Sequence, residues 1–120
     1  MDKAAQKILV IDDDESITRT FAHILQRNGY QTDTAQTAEE AIRKARDNSY
    51  TVALIDICLP DMNGMKLLDK LAEHDGKMVK IIITGFPTMT PQRGSKADAY
   101  LLKPVRPQEI LSIIDQKTEK

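Results

Sequence analysis

Asp12, Asp13 and Asp14 follow the apolar run Ile8-Leu9-Val10-Ile11, and Asp56 ends a second apolar run, Val52-Ala53-Leu54-Ile55. Runs of this length, rich in β-branched residues, read as buried strands. Carboxylates at the ends of two neighbouring buried strands form a crowded anionic pocket. Two of them about 4 Å apart repel by roughly 4 kcal/mol at an effective dielectric near 20. Either a pKa rises or a cation fills the pocket. Ligands that are all oxygen favour a hard ion, Mg²⁺ before Zn²⁺. Thr84 ends a third apolar run and Lys103 lies just past a fourth. A carboxylate nucleophile, metal ligands, a hydroxyl donor and a cation suit phosphoryl transfer to a carboxylate. Asp56 is the candidate nucleophile because it stands alone at its strand end. Asp13 and Asp56 are candidate ligands for Mg²⁺, which would offset charge on phosphoryl oxygens. Lys103 supplies a point charge and Thr84 a hydrogen bond.

The elements that must position these groups alternate along the chain. Strands are expected at Lys7–Asp12, Gln31–Ala35, Thr51–Asp56, Val79–Thr84 and Ala99–Leu102. Between the first two lies a helix over Glu15–Asn28, with Ile17, Phe21, Ile24 and Leu25 on one face. Asp14 and Glu15 suit its N-terminus, and Gly29 suits a left-handed cap at its end. Thr37 and Glu40 have capping-box spacing ahead of a helix that buries Ala38, Ala41, Ile42 and Ala45. Leu59-Pro60-Asp61-Met62-Asn63-Gly64 is dense in turn residues, and Asp61 reads as a turn-former. A helix over Met65–His74 turns Leu67, Leu68 and Leu71 inward, and a last one over Pro107–Lys117 buries Ile110, Leu111, Ile113 and Ile114. This alternation predicts an α/β doubly wound parallel sheet with helices on both faces. In such sheets ligands sit at the carboxyl ends of the strands, where the polar residues fall.

At 120 residues the chain has room for one core and reads as one domain over residues 1–120. With 17 basic against 18 acidic side chains, no excess points to nucleic acid. The single cysteine, Cys58, excludes an intramolecular disulfide and a cysteine-based metal site. No stretch approaches the ~20 apolar residues of a membrane span. The expected setting is cytoplasmic. His23 and His74 fall on different predicted helices without metal-ligand spacing, so a histidine phosphodonor in trans is the simpler picture.

With these residues in view, the chain resembles the receiver domains of two-component response regulators over nearly its whole length. The resemblance rests on four segments in the family's order: Ile8 to Glu15, Ala53 to Gly64, Ile82 to Gly85, and Ala97 to Pro104. It implies a flavodoxin-like five-stranded sheet of order 2-1-3-4-5. It also implies that Asp56 is phosphorylated by a histidine kinase or histidine phosphotransfer protein. Asp13 would bind Mg²⁺ directly and Asp12 mostly through water, with the backbone carbonyl of Cys58 as a further ligand. Thr84 and Tyr100 would act as the switch, Lys103 would bridge to the phosphate, and the Lys103–Pro104 peptide is often cis in the family. The chain would be a regulatory phosphoacceptor, catalysing only its own phosphorylation and slow dephosphorylation. Kinase docking is expected over the first helix and the Lys103-Pro104 loop. With no effector domain present, the chain itself should not bind DNA specifically, and its effector is not identified.

The chain departs from the family between Thr84 and Lys103, which is about three residues shorter than usual. Receivers carry their helix four here. Pro91 and Gly94 oppose a helix interior by up to ~3 and ~1 kcal/mol, and Met89 is the only apolar stripe residue. A short or irregular helix four is expected. Two other readings compete. A phosphatase of the haloacid-dehalogenase type would use Asp12 as nucleophile, but would leave Asp56 idle and lacks an acidic pair beyond Lys103. A receiver-like module that never sees phosphate usually loses site residues, and none is lost here.

Overall fold

A computed structural model describes residues 6–85 and 96–118. In chain order the elements are β1 (Lys7–Ile11), α1 (Glu15–Arg27), β2 (Gln31–Ala35), α2 (Ala38–Asp47), β3 (Val52–Asp56), α3 (Gly64–His74), β4 (Val79–Thr84), β5 (Ala99–Leu102) and α4 (Pro107–Thr118). The strands form one parallel sheet of order β2-β1-β3-β4-β5, the flavodoxin-like order. The expectation about helix four falls on residues 86–95, outside the described residues.

Strand alternation assigns the apolar residues to two cores. Leu9, Ile11, Ala53, Ile55 and Ile82 face α2 and α3, packing on Ala38, Ala41, Ala45, Leu67, Leu68 and Leu71. Ile8, Val10, Leu54, Ile81 and Ile83 face the other way, toward Leu25 of α1 and Ile110 and Ile114 of α4. Every residue of β3 is buried, as a central parallel strand covered on both faces requires. β2, with sequence QTDTA, is a polar edge strand.

Local chemistry sets the helix ends. Asp14 caps α1, accepting from the backbone N–H groups of Ser16 and Ile17. Gly29, at φ 95°, follows that helix in the left-handed region. Thr37 Oγ1 accepts the Glu40 N–H at 3.1 Å. The reciprocal half of the capping box differs from expectation: Glu40 Oε1 accepts from Gln36 at 2.8 Å, one residue before the cap. Asn63 caps α3, which therefore opens at Gly64 rather than Met65.

At the amino ends of the strands a separate polar cluster closes the α2-side core. Tyr50 donates to Asp33 Oδ2 at 2.6 Å, and Lys7 Nζ reaches the same oxygen at 3.2 Å. Lys7 also donates to Asn48 Oδ1 at 3.1 Å. The Asp33 carboxyl is desolvated by burial, yet the Tyr50 and Lys7 bonds prevail and hold it below the usual carboxylate value.

Candidate functional site

The strand register brings the chemistry-bearing residues to one rim. Ile11 lies opposite Ile55, so Asp12 and Asp56 come one step later on adjacent strands. Asp56 pairs with Ile83 and Thr84 with Leu102, which sets Thr84 and Lys103 on the same edge. Lys103 N–H donates to the Thr84 carbonyl at 2.8 Å, extending the β4–β5 ladder by one bond. The Lys103–Pro104 peptide is cis.

Asp12, Asp56 and Thr84 are buried at 4%, 5% and 2% exposure, whereas Asp13 is exposed. One carboxylate oxygen from each of Asp12, Asp13 and Asp56 falls within 4.8 Å of the others. Three hard oxygen donors, two of them on buried residues, fit a Mg²⁺-sized cation. Cys58 is itself exposed, and its N–H donates to Asp56 Oδ1 at 3.3 Å. Its thiol is not part of the carboxylate cluster.

Among the described residues, Lys103 supplies the positive charge inside this cluster. Its Nζ lies 3.6 Å from Asp12 Oδ2 and 3.4 Å from Asp56 Oδ1. Burial pushes the Asp12 carboxyl up to about 6, reinforced by the Asp56 charge, and only partly offset by the Asp14 N–H and Lys103. Partial burial pulls Lys103 down, but the Asp12 and Asp56 carboxylates outweigh it and raise its pKa. The arrangement is a half-compensated anionic pocket that gains from a further cation.

The loop after β3 approaches α3 closely. Cys58 pairs with Asn63, and the Gly64 N–H donates to the Ile57 carbonyl at 2.8 Å. A Cβ at Gly64 would stand 2.6 Å from Ile57 Cα and 2.9 Å from the Asp56 carbonyl oxygen, so only glycine fits. At the exposed tip of this loop, Asp61 Oδ1 accepts the Ala38 N–H at 2.8 Å and Oδ2 accepts the Glu39 N–H at 3.0 Å. These bonds hold the Asp61 carboxyl below its usual value. Asp61 stands in the turn its sequence suggests, and it also caps a helix 22 and 23 residues away, which no local pattern could reveal.

Tyr100 sits half-buried on β5 against the α2-side core, its hydroxyl donating to Met65 Sδ at 3.8 Å. His23 and His74 are both exposed. Asp14 and Glu15 do helix-terminus work, Glu15 pairing with Arg19 at 2.7 Å. Beside the site, a groove of about 460 Å³ runs between α1 and the β5–α4 loop, lined chiefly by Ile17, Phe21, Pro104 and Val105.

Comparison with known proteins gives a consistent picture. The response regulator receiver domain family matches residues 8–115. Among curated proteins, the chain is 30% identical over 109 residues to the transcriptional regulatory protein SrrA of Staphylococcus aureus, covering 89% of this chain and 45% of that protein. The chain thus spans just under half the length of that relative. Among solved structures, a CheY-like receiver domain protein from Methanospirillum hungatei is 36% identical, with a TM-score of 0.86 and coverage of 93% and 92%. A response regulator from Burkholderia pseudomallei, solved with a phosphorylated aspartic acid, calcium ion and citrate, is 27% identical, with a TM-score of 0.79 and coverage of 91% and 66%.

Proposed function

Because the chain belongs to the response regulator receiver domain family, we propose that residues 1–120 form one phosphoacceptor module in which Asp56 is the phosphorylated residue. The observation that carries this reading is the rim cluster: buried Asp12 and Asp56 share the Lys103 ammonium, with Asp13 beside them. The phosphorylated aspartic acid named in the Burkholderia relative supports the same chemistry here.

The donor is a phosphohistidine of a partner kinase or phosphotransfer protein. An Asp56 oxygen forms a bond to phosphorus as the phosphorus–nitrogen bond breaks, and the released imidazole takes up a proton. Asp13, Asp56 and the Cys58 carbonyl would hold Mg²⁺, with Asp12 contributing through water. When bound, the ion supplies positive charge against the phosphoryl oxygens. Lys103 pairs with one of those oxygens and Thr84 donates to another. The modification adds about −1.5 to −2 charges and three strong acceptors, which Thr84 and Tyr100 convert into repacking on β4 and β5. The apolar groove between α1 and the Pro104 loop opens beside Lys103 and suits the partner's docking. The role is regulatory, and output passes to an effector through protein contact.

The test is the intact mass after incubation with acetyl phosphate and Mg²⁺, repeated with EDTA and with Asp56→Asn. A single Mg²⁺-dependent adduct that disappears in the variant is expected. An adduct that survives the substitution would move the acceptor to Asp12 and return the phosphatase reading.

A further inference from the structure

The β3–α3 loop carries the Cys58 carbonyl, and it is anchored at both ends. Its base is closed by the Cys58–Asn63 pairing and by the Gly64-to-Ile57 bond at 2.8 Å. Its tip is tied by Asp61 to the backbone of Ala38 and Glu39, at 2.8 and 3.0 Å. The first three N–H groups of α2 are therefore all satisfied, two by Asp61 from across the fold and one by Thr37 from within. Thr37 alone could cap this helix, as a threonine at that position commonly does. The additional bonds from Asp61 fasten the loop as well as the helix.

The short tether makes this consequential. Only two residues, Leu59 and Pro60, lie between Cys58 and Asp61. Ile57, just before Cys58, is buried, whereas Cys58, Pro60 and Asp61 are exposed, with Leu59 between. Besides Ile57 and Leu59, which pack on the α2-side core, the anchors on either side set the orientation of the Cys58 peptide. We propose that Asp61 is a positioning residue for the metal site: its double bond to the N-terminus of α2 holds the Cys58 carbonyl in its ligating orientation. This rests on the proposed function, in which that carbonyl is a ligand. It also links α2 to the state of the site, since any ion that needs the loop in place favours the clasp in return.

Thr37 provides the control. Thr37→Ala and Asp61→Ala each remove capping from the same helix end, but only Asp61→Ala frees the loop. The measurement is the affinity for Mg²⁺ alone, by calorimetric titration of the full chain, alongside thermal unfolding of each variant. Loss of outer-shell support typically costs a metal site about 10- to 100-fold in affinity. Asp61→Ala is expected to weaken Mg²⁺ binding by about tenfold, while Thr37→Ala leaves it close to wild type despite a comparable fall in melting temperature. Asp61→Asn, which keeps one carbonyl acceptor, should fall between. It also serves if the alanine variant does not fold. Equal affinity losses in Asp61→Ala and Thr37→Ala, or no loss in either Asp61 variant, would overturn the proposal. Wild-type protein that binds no Mg²⁺, or binding indifferent to Asp13→Asn, would overturn the underlying site reading instead.

Discussion

The Lys103 ammonium sits 3.6 Å from Asp12 Oδ2, on a carboxylate that burial has already pushed up to about 6. The two groups are tied through the sheet rather than by proximity in sequence, since Lys103 follows β5 and Asp12 follows β1. Lys103 also reaches Asp56 at 3.4 Å, so one cation serves two acids. The compensation is incomplete, and the following expectations draw on that shortfall.

Asp12→Asn should stabilise the metal-free protein. A carboxyl whose folded pKa lies above its unfolded value favours folding when protonated. Its ionisation costs stability as pH rises from the unfolded value through about 6, and the full cost is present above that. A shift of this size corresponds to about 2–3 kcal/mol. Urea unfolding at about pH 7.5 should show the variant more stable by that order, with the gain shrinking toward about pH 4. A gain of equal size at both values would remove the titration of Asp12 as its cause.

Mg²⁺ and a proton should compete at this site. Below the raised Asp12 value of about 6 the carboxyl is increasingly protonated, and ion binding must then displace that proton. Apparent affinity is expected to fall by up to about tenfold per pH unit below the shifted value. Calorimetry in buffers of different ionisation enthalpy near that pH reads proton release directly; none would contradict the arrangement.

Lys103→Met should have two opposite effects. Without the ammonium, a bound cation meets less repulsion, so Mg²⁺ affinity should rise several-fold, on the order of tenfold at the effective dielectrics of such sites. Phosphoryl transfer to Asp56 should slow, because a charge partner for the incoming oxygens is lost. Titration and the rate of adduct formation separate the two. A variant that loses both affinity and rate would mean Lys103 holds the pocket's shape rather than its charge.

Gly64→Ala should be costly beyond its size. The new methyl meets the Ile57 backbone at 2.6 Å, and backbone cannot swing aside as a flexible side chain can. Overpacking of this kind costs about 1–3 kcal/mol, at times more. Urea unfolding should show at least that loss, with slower phosphorylation because the strained loop follows directly on Asp56. A neutral result would show that the loop relaxes freely.

Thr84→Ala should leave Mg²⁺ binding nearly unchanged, since Thr84 lies on β4, outside the carboxylate cluster. Phosphorylation should still occur, but the response of the Tyr100 ring should shrink. Ring resonances assigned with Tyr100→Phe would follow this. An unchanged ring response in Thr84→Ala would break the proposed link between the two residues.

The strand ends were legible in the sequence because burial on both faces leaves long apolar runs whose first polar residue marks the rim. Asp12, Asp56, Thr84 and Lys103 were readable for that reason. Boundaries moved by single residues: β1 ends at Ile11 rather than Asp12, and β3 begins at Val52 rather than Thr51. Both residues still bond the neighbouring strand through backbone, Asp12 to Ala35 and Thr51 to Lys7, so each boundary falls at the last bond of a ladder, which periodicity does not resolve. Of the predicted face on α1, Leu25 is fully buried while Ile17, Phe21 and Ile24 are only partly so. An apolar stripe shows direction but not how far the neighbouring element covers it. The long-range role of Asp61 was not legible because its partners lie on α2, far along the chain. A turn residue and a long-range clasp look alike in sequence.

The polar knot of Lys7, Asp33, Asn48 and Tyr50 has its own consequence. It lies toward the opposite rim from Asp56, across a strand of five residues, or roughly 17 Å of backbone. Asp56 is buried, so salt screens this path little, and a unit charge acts across it with about 1 kcal/mol at an effective dielectric near 20. Under the proposed function, a fluorophore attached beside Asn48 therefore senses the charge added at Asp56 together with any movement of the sheet.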